Sequence, residues 1–126
     1  PGFRQAVNPV EIPDFSDAEL RLAGAALHER YGRAVEVQEV DTEIRLHPAD
    51  RELTVCPALY WEDAERCRFV VSKTGENQFR SMFFWSVKDR FATGKEEYDN
   101  LGDCLVTTLK MQEEAARLRA QEGDAG

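Results

Sequence analysis

No apolar run in this chain approaches the ~20 residues that a membrane-crossing helix needs. The opening PGFRQAVNPVEIPDF has neither the basic flank nor the apolar centre of a signal peptide, so a cytoplasmic protein is expected. Two histidines and three cysteines are the imidazole and thiol groups from which a metal site would be built. No spacing among His28, His47, Cys56, Cys67 and Cys104 matches C-x2-C or H-x3-H, so neither a metal nor a cofactor is expected. An odd cysteine count without a secretion signal points to free thiols in a reducing compartment, against the alternative of a Cys56–Cys67 bridge across neighbouring strands. Glycine is missing where a phosphate loop would need it: TGKEE (93–97) has no upstream glycine at the right spacing and no Ser or Thr after its lysine.

Positive charge is also in deficit, with a formal net charge of −8 that discourages non-specific adhesion to nucleic acid or anionic membrane. The deficit is local. Residues 35–65 hold nine acids and two bases, whereas residues 66–95 hold seven bases and two acids. An acidic middle is followed by a basic stretch and then by an acidic end.

Against these shortages stand 42% hydrophobic and 10% aromatic residues over 126 positions, enough for one packed core and no second one. Pro1, Pro9 and Pro13 fall in an aperiodic segment, which reads as an extended arm over 1–14. A single domain is expected over 15–121, with a frayed tail at 122–126. Ser16 and Glu19 form a capping box, with Phe15 and Leu20 as the hydrophobic staple around it. Leu20, Ala23, Leu27 and Tyr31 then recur at helical spacing, and Gly32 can take the left-handed stop, so a helix is expected over 16–31.

The period then changes to two. Val35 and Val37 alternate in one phase and Ile44 and Leu46 in the other, a slip that calls for a turn or bulge near Glu39–Asp41. HPADRE (47–52) reads as a turn, and LTVCPALYW (53–61) as a strand that Pro57 makes an edge or bulges. CRFVVSK (67–73) and FRSMFFWSV (79–87) are strands joined by a KTGENQ loop, and FATGKEEYD (91–99) is a loop. A last helix, capped by Asp99 or Asn100, carries the stripe Leu101, Cys104, Leu105, Thr108, Met111, Ala115 and Leu118. Short connections imply antiparallel pairing, and two amphipathic helices need one apolar sheet face. The expected architecture is a two-layer α+β sandwich: four or five antiparallel strands with an N-terminal and a C-terminal helix on one face.

Chemistry-bearing constellations are thin. Cys104 sits near a helix start, where the dipole lowers a thiol pKa, but nothing places His28 or His47 beside it as a base. The carboxylates at 62–65 and 96–99 lie in turns with no apolar pocket to raise one of them. No catalytic residue is therefore nominated, and an enzyme is not the expectation.

Two surfaces remain. If Phe79, Phe83, Trp85 and Val87 face the helices, then Arg66, Arg68, Val70, Arg80, Met82, Phe84, Ser86, Lys88 and Arg90 face away, giving a basic face with apolar groups in it. That face suits dimerisation or a protein partner. Single-stranded nucleic acid is the third choice, opposed by the overall acidity and by the missing RNA-binding signature. Glu36, Glu43 and neighbouring acids are expected to form cross-strand ion pairs with those arginines. Glu36, Glu39, Asp41, Glu43, Glu62, Asp63 and Glu65 form the second surface, suited to a basic protein partner. The expected function is thus a small acidic protein-binding module, accessory, chaperone-like or inhibitory, and homodimeric. The alternative is a small-ligand binder or enzyme with a sheet–helix pocket lined by Tyr31, Phe83, Trp85 and Cys104.

Overall fold

Ser16 closes the capping box that its spacing from Glu19 dictates. Its hydroxyl accepts the Glu19 N–H at 3.1 Å, and the Glu19 carboxylate accepts the Ser16 N–H at 2.8 Å. The computed structural model describes residues 12–86, 90–92 and 97–125, so most of the expected arm over 1–14 lies outside the described residues. Helix α1 runs Asp17–Tyr31 and stops at Gly32, whose φ of 71° is the left-handed conformation that glycine adopts without a Cβ penalty. Ala23 and Leu27 are buried, with Leu20 and Tyr31 packed at the core margin.

Five strands follow in simple meander order: β1 (Gln38–Ile44), β2 (Thr54–Glu62), β3 (Arg68–Gly75), β4 (Gln78–Phe84) and β5 (Arg90–Ala92). All neighbours are antiparallel. Helix α2 (Leu101–Ala125) closes the chain, with the Asn100 side chain accepting the Asp103 N–H at 2.9 Å as its cap. The fold is an α+β sandwich with both helices packed over one sheet face.

The registers assign the faces. Leu59, Val71 and Ser81 stand in one cross-strand row and Trp61, Phe69 and Phe83 in the next, all toward the helices. Trp61 stacks on Phe69 with ring centroids 4.9 Å apart, and Leu27, Cys104 and Leu105 complete the core from the helix side. Tyr60, Val70 and Met82 form a row on the opposite, open face.

Several expectations need correction. The 73–78 loop closes as a two-residue turn, Glu76–Asn77, with Asn77 at φ 58° and the register shift absorbed between Lys73 and Gly75. Residues 90–92 pair with β4 as a fifth strand, and Tyr98 bridges back to Phe79. The phase slip around Glu39–Asp41 needs no turn or bulge, because β1 pairs with β2 without interruption from Gln38 to Ile44. Val35 and Val37, ahead of the strand, pack against the helix-side core, whereas Ile44 stands on the open face. Pro57 lies in a strand that is interior in the sheet order. Pairing with β3 begins only at Ala58, so β2 has a single neighbour at Pro57, which is where a residue lacking an N–H is tolerated.

Helix α2 departs from its expected stripe. Leu109 and Gln112 turn inward while Met111 and Leu118 are exposed, because the buried set 101, 105, 108, 112 follows the true helical period. The helix also continues to Ala125, through residues expected as a tail.

Candidate functional site

The edge strand β1 carries three exposed carboxylates with no ion-pair partner among the described residues. Glu39, Asp41 and Glu43 alternate along it, so all three project from the helix-side face, opposite Leu59, Pro57 and Val55 of β2. The helices stop short of them: Leu59 is buried, yet the three acids are exposed and Val55 is 58% exposed. Among the described residues the expected ion pairs between Glu36 or Glu43 and the arginines of 66–90 do not form: Glu43 stands on the face opposite Arg68 and Arg80, and Glu36 lies ahead of β1. Among the described residues no cation pairs with Glu36, Glu39, Asp41 or Glu43. On its other side β1 shows Gln38, Val40, Thr42 and Ile44, and its outer edge has no neighbouring strand among the described residues.

The other four predicted acids do not join that row. Glu36 precedes β1 and shares a shallow depression with Arg33, Tyr60 and Glu62. Glu62 ends β2 on the open face, directly opposite Arg68. Asp63 builds the β2–β3 turn: its Oδ1 accepts the N–H groups of Glu65 and Cys67, each at 2.9 Å. Its Oδ2 accepts from the Gln112 amide at 3.5 Å. Glu65 is exposed at the turn tip.

The basic set is likewise divided. Arg66 is in the turn with φ 69°, so it does not join the outward sheet face expected for it, and Arg68 is exposed at the start of β3. The Arg80 guanidinium is already engaged. It donates to the carbonyls of Arg45 and Leu46 at 3.1 and 2.9 Å and pairs with Glu97, which also accepts from the Thr74 hydroxyl. Arg80 therefore latches the β1–β2 loop onto the sheet, and that chemistry is taken from any phosphate. Met82 and Phe84 stand on the open face but are half-buried. Arg90 opens β5 opposite Phe84, and Lys88 lies outside the described residues.

The open face is bent. The Thr42 hydroxyl of β1 and the Ser72 hydroxyl of β3 meet at 3.2 Å across β2. Alternate strands of a flat sheet are roughly 9.5 Å apart, too far for two such short side chains. The sheet thus curls toward this face and hides the small residues Cys56 and Ala58.

Thiol chemistry is suppressed. All three cysteines are free and buried. Burial pushes the Cys104 thiol up to about 11, reversing the depression expected from the helix start. Burial, then the Asp63 charge, pushes Cys67 up to about 12, and burial also raises Cys56. Phe83 and Cys104 are sealed in the core instead of lining an opening.

One polar feature escaped sequence reasoning. The Tyr31 hydroxyl is buried without a hydrogen-bond partner, and burial raises its pKa, although the Trp61 indole, also unpartnered, lies close by. Gln112, almost fully buried, joins Tyr31 and Asp63 in a shallow depression of 310 Å³ at this end of the sheet. Only the helical period at 101, 105, 108 and 112 could have signalled Gln112.

Among the described residues, no three His, Cys, Asp or Glu side chains are arranged to hold a metal ion, and no helix is long and apolar enough to cross a membrane. No family model, curated protein or solved structure matches the chain.

Proposed function

We propose that this protein is a small acidic protein-binding module that engages a basic partner through β1. The observation that carries the reading is the row Glu39, Asp41 and Glu43: three exposed carboxylates on one face of one strand, with no ion-pair partner among the described residues. A charge row of one sign steers an oppositely charged partner and disfavours a like-charged one. The set Glu36, Glu62, Asp63 and Glu65 contributes less, because it is scattered and Asp63 is committed to a turn.

In this reading the module works in the cytoplasm, where its three buried thiols stay reduced. The open-face row Tyr60, Val70 and Met82 serves as the contact for a second copy, with Glu62 of each copy meeting Arg68 of the other about a two-fold axis. Sedimentation at micromolar concentration tests that pairing: a Met82→Glu variant that sediments like the parent refutes it.

The partner itself is tested by recovering tagged protein from native lysate at low salt and at ~0.5 M salt, where the Debye length falls to roughly 4–5 Å. A stoichiometric basic protein is expected at low salt, lost at high salt and lost from the Glu39→Lys, Asp41→Lys, Glu43→Lys variant. A partner retained equally by that variant overturns the reading.

A further inference from the structure

The acids of β1 sit on a strand whose outer edge has no neighbour among the described residues, and the two features together specify how a partner attaches. From this geometry we infer that the partner adds to the sheet as a sixth strand along β1, an extended segment with lysine or arginine at alternate positions. The inference rests on the basic-partner reading and adds its binding mode.

β1 is more exposed than β2, β3 or β4, and among the described residues its seven residues pair with β2 alone. Alternate residues of such a strand turn their N–H and C=O groups outward, where another strand can accept and donate. Main-chain hydrogen bonds then supply affinity, and the side chains that alternate across the edge supply selectivity.

Here the alternation is sharply divided by charge. One face presents Glu39, Asp41 and Glu43, and the other Gln38, Val40, Thr42 and Ile44, without a charge. A complementary segment therefore places cations on the helix-side face and uncharged, β-branched residues between them.

The same charges exclude a second copy from this edge. Pairing β1 with β1 about a two-fold axis brings six carboxylates onto one face of two adjacent strands, and like charges directly opposite destabilise a sheet. The open-face contact proposed for a second copy leaves β1 free. The exposed Val55, beside Glu43 on the same face, offers an apolar shoulder on which a long basic side chain can rest its methylenes.

The test uses the whole chain, isotope-labelled, and an acetylated, amidated peptide of alternating lysine and threonine, matched to the seven residues of β1. Two further peptides carry N-methyl groups at alternate residues, in opposite phases. In strand addition only one phase of the peptide donates its N–H groups to β1, so the peptide methylated in that phase is expected to bind at least about tenfold more weakly and the other to bind like the parent. Amides of 38–44 should also gain protection from hydrogen exchange. The Glu39→Gln, Asp41→Asn, Glu43→Gln variant changes only exposed side chains and should weaken the parent peptide by about tenfold, as three exposed ion pairs imply.

Equal binding of the two methylated peptides, with the triple variant still impaired, overturns strand addition and leaves the basic-partner reading standing. Absence of binding by the parent peptide to folded protein overturns both, and the acids then serve only to keep the edge from self-pairing.

Discussion

Lys73 is the least expected residue in the interior, and its substitution gives the sharpest test of how α1 is held to the sheet. Its ammonium, with the side chain 5% exposed, reaches the Glu19 carboxylate at 2.7 Å and the Asp14 carbonyl at 3.0 Å. It also sits 5.7 Å from the centre of the Phe15 ring. Glu19 is shared, since the same oxygen caps Ser16, so one carboxylate both starts the helix and anchors it to β3.

Glu19→Gln keeps a capping acceptor but strips the counter-charge from a buried ammonium, and breaking a buried pair this way costs about 3 kcal/mol or more. Lys73→Met removes the buried charge itself and fills similar volume. Glu19 keeps its Ser16 bond and some solvent, so the loss should be roughly 1–2 kcal/mol. The order is the diagnostic. Urea unfolding at pH 7 should rank Glu19→Gln below Lys73→Met, with a double-mutant cycle showing a coupling of about 1–3 kcal/mol. If Glu19→Gln costs less than about 1 kcal/mol, or if Lys73→Met is the worse variant, the clamp does not hold the helix.

The pH dependence follows from the same contact. Burial pushes the Glu19 carboxyl up, but the Lys73 ammonium and the Ser16 hydrogen bonds outweigh it and hold the pKa below the ordinary 4.5. A carboxyl depressed in the folded state stabilises the fold above its ordinary pKa, and that contribution fades as pH falls through the lowered value. The gap between the parent and Glu19→Gln should therefore be full at pH 7 and close in acid below 4.5.

Three further outcomes are expected. Leu105→Ala, at a fully buried site facing the sheet, should destabilise by about 2–5 kcal/mol in chemical denaturation, and a loss below about 1 kcal/mol would mean the helix–sheet interface is loosely packed. At pH 8 a maleimide should leave all three thiols unmodified in the native protein and label them in denaturant; rapid native labelling of Cys104 would contradict its burial and raised pKa. Ser16→Ala should cost about 1 kcal/mol through the lost cap, read as a lower melting temperature, and an unchanged melting temperature would show that Glu19 alone sustains the helix start.

What the sequence determined by itself was whatever depends on neighbours within a few residues. The Ser16–Glu19 box, the Gly32 stop and a cap at 99 or 100, taken by Asn100, are local hydrogen-bond and backbone preferences that the spacing signalled. The alternation in CRFVVSK and FRSMFFWSV assigned Phe69, Val71 and Phe83 to the helix side because side chains on a strand have period two. Only the tertiary structure decided what depends on distant chain. It decided that Glu39, Asp41 and Glu43 lie past the edge of the helices, because the width of two helices, and not the strand's own pattern, limits which part of a sheet is covered. It brought Lys73 under α1, where a basic residue in a strand otherwise reads as surface. It turned Arg80 from a candidate contact into a latch on the carbonyls of residues 45 and 46, since the curl of the sheet sets what its side chain meets. Local chemistry chose the elements, and the packing of elements far apart in sequence chose which charges were left facing water.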